Sequence, residues 1–454
     1  MKVVIIGAGE VGFHIAGHLA LAKKSVVVID RDKEALRRVA DSIDAQAILG
    51  SGSSPLILET AGIKDAEIVL AVTDSDEANL VACLVADILS PDTKKLARIR
   101  GGEFDGYHQH FQSKAPHIDT VINPEIEVVK TIERLMSVPG ATDVGELAGG
   151  RVKFVGVYLE ARSQLCGVRL ADLPDLLGDQ RPLIAAIVRE EKLIIPRGDD
   201  RLAAGDLVYF IAEAEKLDQA LAPFDKESLT IRRVMVVGGG RIGLRVARMM
   251  EARSISTKIV EKDADRCAFL AEHLHRTLVL QGDGSDQQLL AEENVSEMDL
   301  VLTLTDDEET NILASLLAKR MGASRAITKI SKFSYFPLMK AIGLELVISP
   351  RLSAINSILQ HTRPGQVLSD ISIKGEQAEI IEAVAMENSD IVAKPLKDLA
   401  LPKGVLVTGI IRDDVVIIPS GESVIQANDR VIIFARRQAI PRLEKLLAVK
   451  LGYM

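Results

Sequence analysis

The sequence predicts an α/β protein in which two doubly wound, Rossmann-type parallel-sheet modules are each followed by a small α+β module, in the order large, small, large, small. Three observations predict it. The chain repeats itself, its strands and helices alternate, and its apolar content is aliphatic. Hydrophobic residues make up 47% of the 454 residues while aromatics are only 3% and Trp is absent. Buried parallel strands and the helices that cover them use that kind of composition.

The repeat decides the architecture. Gly7-Ala8-Gly9-Glu10-Val11-Gly12 returns as Gly238-Gly239-Gly240-Arg241-Ile242-Gly243, an offset of 238 − 7 = 231. Asp30 falls on Glu261 at the same offset, and Thr73-Asp74 falls on Thr305-Asp306 one residue later. A second pair repeats at 410 − 187 = 223: Ile187-Val188-Arg189 with Ile410-Ile411-Arg412, and Asp206 with Asp429. The expected divisions are 1–124, a crossover helix and hinge at 125–142, a small module at 143–228, then 229–350, 351–366 and 367–454.

In the first large module, strands are predicted at Val3–Ile6, Val26–Ile29, Ala47–Leu49, Ile68–Val72, Leu96–Ile99 and His117–Val121, with helices between them. Strict alternation of this kind implies a parallel sheet with helices on both faces. The closing helices, near 125–136 and 352–361, stop before Pro139-Gly140 and Pro364-Gly365, pairs that punctuate helices and suit hinges. The small modules carry short β-branched runs such as Val152–Val157 and Leu207–Ile211 between Asp/Gly-rich turns, which read as antiparallel sheets. Leu229–Arg233 joins the two halves.

A lone GxGxxG motif is weak, but here each copy follows an apolar strand and opens a helix. The first glycine permits a tight turn, the second lets backbone approach a pyrophosphate, and the third lets the helix pack closely on the strand. The diphosphate then meets a helix N-terminus, where free N–H groups and the dipole favour anions. An acidic strand tip is the second test. Asp30 lies 30 − 9 = 21 residues beyond the second glycine, and Glu261 lies 261 − 240 = 21 beyond its own. A carboxylate there accepts from ribose hydroxyls and repels a 2′-phosphate, favouring NAD(H) over NADP(H). Arg31, beside Asp30, works against that preference.

Ligands in such sheets sit beyond the carboxyl ends of the strands. That places Thr73, Asp74, Thr305 and Asp306 at the crevices, with Arg98 and Lys329 at the ends of the fifth strands. Each cation either pairs with a ligand's diphosphate or ribose or makes a surface salt bridge. Gly282-Asp283-Gly284 ends the third strand of the second half, where the first half has Gly50-Ser51-Gly52, so the two adenine sides are expected to differ.

Other chemistry is sparse. A formal net charge of −9 argues against a nucleic-acid partner and against docking to anionic lipid. Cys83, Cys166 and Cys267 have neither metal-ligand spacing nor the pattern of a disulfide framework, which suits a reducing cytoplasm. No run approaches 18 uninterrupted apolar residues, and the N-terminal run Met1–Ile6 reads as a first strand rather than a leader. His14 and His18 stand i, i+4 apart without an acidic partner motif, so packing or exposure explains them better than a metal. Asp74, Asp76 and Glu77 could be read as a metal cluster, but capping of the following helix explains the segment better, since Ser75 or Asp76 lies just before the apolar run. No GxSxG, CxxC or HExxH occurs. The competing reading is an NAD-dependent oxidoreductase with the small modules as substrate domains, and duplicated sites without a catalytic constellation disfavour it.

Assembled, these residues resemble the RCK family (regulator of K⁺ conductance, also KTN) over essentially the whole chain. Besides the first glycine loop, the matching motifs include Ala71-Val72-Thr73-Asp74-Ser75-Asp76-Glu77, Ala97-Arg98-Ile99-Arg100, Val236-Val237-Gly238-Gly239-Gly240, Leu289-Leu290-Ala291-Glu292-Glu293 and Ile348-Ser349-Pro350. The resemblance implies a regulator, not an enzyme: a cytoplasmic, ring-forming homo-oligomer, peripheral on the inner membrane face, that gates a K⁺-translocating subunit of the TrkH or TrkG kind. It assigns Gly7, Ala8, Gly9, Glu10, Val11, Asp30, Thr73, Asp74 and Arg98 to a first NAD(H). It assigns Gly238, Gly239, Gly240, Arg241, Ile242, Glu261, Thr305, Asp306 and Lys329 to a second. ATP or ADP is the alternative occupant, and the small modules would bind a second effector or form dimer contacts.

Overall fold

Six parallel strands form the first sheet: β1 (Lys2–Ile6), β2 (Ser25–Asp30), β3 (Gln46–Leu49), β4 (Ile68–Ala71), β5 (Lys94–Arg98) and β6 (Thr120–Ile122). Their spatial order is β3-β2-β1-β4-β5-β6, so the direction of winding reverses between β1 and β4. The computed structural model describes every residue except 139, 179–181, 226–230, 363–366, 374–376, 414 and 448–454. Pro139 of the first hinge pair, both residues of the pair Pro364-Gly365, and part of the joint Leu229–Arg233 therefore lie outside the described residues.

The apolar strands explain both faces. Val3 and Ile5 of β1 point to one side and Val4 and Ile6 to the other, as a period of two requires. On one side they meet Ile15, Ala16 and Leu19 of the helix Glu10–Leu21. On the other they meet Leu58, Ala82, Cys83 and Ala86. The last predicted strand starts late, at Thr120, because His117 takes a left-handed turn at φ +45° that no strand residue can share.

A small antiparallel sheet follows: β7 (Asp143–Leu147), β8 (Val152–Tyr158), β9 (Leu183–Arg189), β10 (Lys192–Ile194) and β11 (Leu207–Glu213), in the order β7-β8-β11-β9-β10. The second half repeats both. Its parallel sheet is β12 (Arg233–Val237), β13 (Ser256–Glu261), β14 (Leu278–Gln281), β15 (Leu300–Thr303), β16 (Ala326–Lys329) and β17 (Leu346–Ile348), ordered β14-β13-β12-β15-β16-β17. Its antiparallel sheet is β18 (Val367–Ile373), β19 (Ala378–Val384), β20 (Val405–Arg412), β21 (Val415–Ile417) and β22 (Arg430–Arg436), ordered β18-β19-β22-β20-β21.

The chain divides into two compact units: Met1–Ile132 with Ile231–Thr362, and 133–230 with 363–454. Each unit therefore combines like with like. In the first, the helix Pro350–His361 of the second half lays Ala354, Ile355, Ile358 and Leu359 into the core of the first half, against the helix Glu10–Leu21. Each of the three larger side chains contributes about 2 kcal/mol by leaving water. In the second unit, Phe154 and Tyr209 share a core with Ile380, Ile432 and Phe434. There Glu382 accepts from the Ala148 N–H at 2.9 Å and pairs with Arg430. Among the described residues, no helix is long and apolar enough to cross a membrane.

Candidate nucleotide sites

Each glycine loop lies at the reversal point of its sheet. Gly7 has φ +111° and Gly238 φ +103°, values that favour glycine. A Cβ on Gly7 would stand 3.0 Å from the Thr73 nitrogen, and one on Gly238 2.8 Å from the Thr305 nitrogen. The third glycines are tighter still. A Cβ on Gly12 would fall 1.8 Å from the Gly7 carbonyl oxygen, and one on Gly243 2.1 Å from that of Gly238. The middle glycines differ: nothing lies within 4 Å of a Cβ built on Gly9 or Gly240. That open space fronts the start of the helices Glu10–Leu21 and Arg241–Ala252, which no side chain caps. The neighbouring helices starting at Lys33, Asp76, Ala264 and Glu308 are capped by Asp32, Ser75, Asp263 and Asp307. The residues thus fit a diphosphate: uncapped N–H groups, a clear approach and backbone drawn close.

The strand-tip carboxylates reach the loops themselves. Asp30 accepts from the Ala8 N–H at 2.5 Å and from Asp32 at 2.8 Å. Glu261 accepts from Gly239 at 2.7 Å and Asp263 at 2.9 Å. Each carboxylate therefore braces its glycine turn. Beyond the strand tip, Arg31 donates to the Ser51 hydroxyl at 2.7 Å. Its counterpart Lys262 meets Asp283 at 3.3 Å. Asp283 is held below the usual carboxylate range, first by the Ser285 hydroxyl and N–H.

At the ends of β4 and β15 the two halves agree atom for atom. Asn79, fully buried, accepts from the Thr73 N–H and hydroxyl and donates to the carbonyls of Thr73 and Arg98. Asn311 does the same for Thr305 and Lys329. Arg98 is buried, yet its guanidinium reaches the exposed Asp74 carboxylate at 2.6 Å. Lys329 reaches Asp306 at 2.8 Å in the same way. These are neither ordinary surface pairs nor free phosphate ligands: the cation is inside and the aspartate faces the crevice. The cations hold both aspartates below their usual range, the hydrogen bond being the largest cause. Ser75 caps its helix through the Ala78 N–H, as the sequence suggests. Asp76 instead accepts from the N–H groups of Arg100 and Gly101, and Glu308 likewise from Ser331 and Lys332.

The second crevice has a volume of about 820 Å³. Of the residues expected from sequence, Gly238, Gly240, Arg241, Ile242, Glu261, Asp283, Thr305, Asp306 and Lys329 line it. Gly239 joins through its bond to Glu261. Around the first, Gly7, Ala8, Gly9, Asp30, Thr73, Asp74 and Arg98 converge as described. Val11 is buried in the core, so only its backbone can face a ligand, and the Glu10 side chain pairs with Arg38 at 2.7 Å. Sequence reasoning missed the roles of Asn79 and Asn311, although both stand at one spacing after the Thr-Asp pairs. It also missed Arg38 and Arg266, which donate to the carbonyls of Ala8 and Gly239, and Glu125, which comes from the other half. Among the described residues, no three His, Cys, Asp or Glu side chains are placed to hold a metal ion. Burial pushes the Cys83 thiol up to about 12, out of range for a nucleophile.

Comparison with known proteins places the chain in a family. The chain matches the TrkA-N domain over residues 3–124 and 234–350. It matches the TrkA-C domain over residues 154–225 and 380–448. It is 36% identical to the Trk system potassium uptake protein TrkA of Azorhizobium caulinodans, across 100% of both chains. Identity to the protein of the same name from Halomonas elongata is 37%, again across 100% of both. Among solved structures it superposes on the GsuK RCK domain with a TM-score of 0.60 at 14% identity, covering 98% of this chain and 94% of that one. For the GsuK channel bound to NAD the TM-score is 0.59 at 14% identity, over 98% and 78%. At that identity the likeness is one of fold.

Proposed function

Since the chain belongs to the TrkA family of potassium uptake proteins, we propose that it is a regulatory, nucleotide-binding subunit of a Trk-type uptake system that gates a K⁺-translocating membrane partner. Each large module takes one NAD(H), with ATP or ADP as the alternative ligand, at the residues described above. The chain works as a ring-forming homo-oligomer, peripheral on the cytoplasmic face of the membrane, and catalyses no reaction. The six divisions read from the sequence are its working parts.

The observation that carries this reading is the duplication of a complete crevice, with uncapped helix mouth, open middle glycine and strand-tip carboxylate, and, among the described residues, without a duplicated acid–base pair beside either. An oxidoreductase needs a proton donor or acceptor near the nicotinamide. The charged pairs that the two crevices share are instead aspartates tied to buried cations.

A ligand shifts a conformational equilibrium only by binding its two states unequally. The helix Glu10–Leu21 begins at the first glycine mouth and packs on the closing helix Pro350–His361. A change at that mouth therefore bears directly on the other half. Titration of the purified chain with NAD⁺, NADH, ATP and ADP should give two equivalents per chain for the preferred ligand. Potassium flux through the reconstituted membrane partner should then change with ligand. Absence of any uptake, or flux indifferent to nucleotide, would overturn the proposal.

A further inference from the structure

The two crevices carry opposite charges at matching positions. Arg241 follows the middle glycine of the second loop, where the first loop has Glu10. Glu125 follows the proline that ends the first parallel sheet, where the second half has Arg351. Glu10 pairs within its own half, with Arg38. Arg241 does not. Its Nε donates to Glu125 Oε1 at 2.7 Å, so a carboxylate from the first large module lines the second crevice.

Glu125 is 91% buried by its side chain, which is 9% exposed. Among the described residues its Oε2 accepts no hydrogen bond, with Arg245 Nε 3.9 Å away. The charged groups that face it are Arg241 and Arg245 on one helix and Arg100 beyond β5, while Asp105 competes for Arg245 at 2.5 Å. A buried carboxylate that is only half satisfied depends on its cations, because an unpaired charge away from water is costly.

We propose that Glu125 is a specificity-determining residue of the second crevice, a built-in anion that competes with the ligand's phosphates for Arg241. This rests on the nucleotide-binding reading above. A ligand that draws Arg241 toward its diphosphate leaves Glu125 with Arg245 and Arg100 only. The carboxylate then takes up a proton more readily, so binding at this crevice tightens as pH falls. The first crevice holds no such competitor at the matching position, where Arg351 stands.

The test isolates the second crevice with Asp30→Ala, leaving one equivalent to titrate with NAD⁺ and with ADP. Adding Glu125→Gln, which keeps shape and one acceptor, should tighten that equivalent about tenfold, the order of one hydrogen bond to a charged group withheld. It should also flatten the dependence of affinity on pH as pH falls from neutral toward the ordinary glutamate range. Unchanged or weaker binding with an unchanged pH profile would overturn the proposal. Retained first-crevice binding of Glu261→Ala/Glu125→Gln, read separately, shows that the substitution leaves the fold intact. Should the unsubstituted chain bind neither probe, the nucleotide reading itself fails, and this inference with it.

Discussion

Asn79 donates to the carbonyl oxygen of Arg98 at 2.8 Å from a position with no solvent exposure, and so ties the end of β4 to the end of β5. The same amide accepts from the backbone of Thr73 at 2.9 Å, so one side chain sets two walls of the first crevice. Asn79→Ala strands these groups. It should cost about 2–3 kcal/mol in denaturant unfolding, since buried partners are left unsatisfied. It should also abolish one of two nucleotide equivalents, and Asn311→Ala should abolish the other. An unaltered stoichiometry in both would remove the asparagines from the site.

The three glycines of each motif should separate folding from binding. Gly9→Ala and Gly240→Ala place a methyl group in open space at φ −64° and −60°, so melting temperatures should hold within a degree or two of the parent. Each should nevertheless lose one equivalent of ligand, because the methyl occupies the phosphate approach. Gly12→Ala and Gly243→Ala collide with backbone and should lose about 3 kcal/mol of stability as well. If Gly9→Ala bound ligand normally, the diphosphate would lie elsewhere.

Asp30→Ala and Glu261→Ala should each remove one equivalent of NAD(H) as read by calorimetry, because each loses the ribose acceptor and the brace on its glycine turn. Full occupancy in either single variant would show that the carboxylate makes no contact of consequence.

Asp74 and Asp306 are held below the usual aspartate range by Arg98 and Lys329. Their folded pKa values are depressed, so their contribution to stability is present above the unfolded value of about 3.9 and is lost as pH falls through the lower, folded value. Asp74→Asn and Asp306→Asn should therefore be less stable than the parent near pH 6. The difference should shrink below about pH 4 in urea titrations. A gap that stayed constant down to pH 2.5 would mean the pairs are not coupled to protonation.

In the unit formed by the small modules, Glu382 is 2% exposed and serves both Arg430 and the Ala148 N–H. Glu382→Ala leaves the half-buried Arg430 and the buried Ala148 N–H without this acceptor and should cost about 1–3 kcal/mol. Nucleotide stoichiometry should stay at its parent value, since this carboxylate lies in the other unit. Loss of an equivalent would show that the small modules bear on the crevices.

Much of this was legible in the chain. The order of strands and helices, the two glycine turns and the carboxylates 21 residues beyond them follow from local rules: periodicity, turn chemistry and the closeness of a strand tip to the next helix. Even the Ser75 cap could be read from its place before an apolar run. The strand predicted at His117 began late because one left-handed residue overrode the pattern.

What the sequence determined by itself is each module as a self-contained wrapping of helices on a parallel sheet, because the contacts that define it lie within about 120 residues and recur twice. Only the tertiary structure decided which half completes which crevice. Glu125 reaches Arg241 across 116 residues, and Ile355 enters the core of a sheet more than 230 residues upstream. No periodicity or spacing encodes such partners. They depend on how two finished surfaces meet, where a charge is placed by the shape of its neighbours and not by its position along the chain.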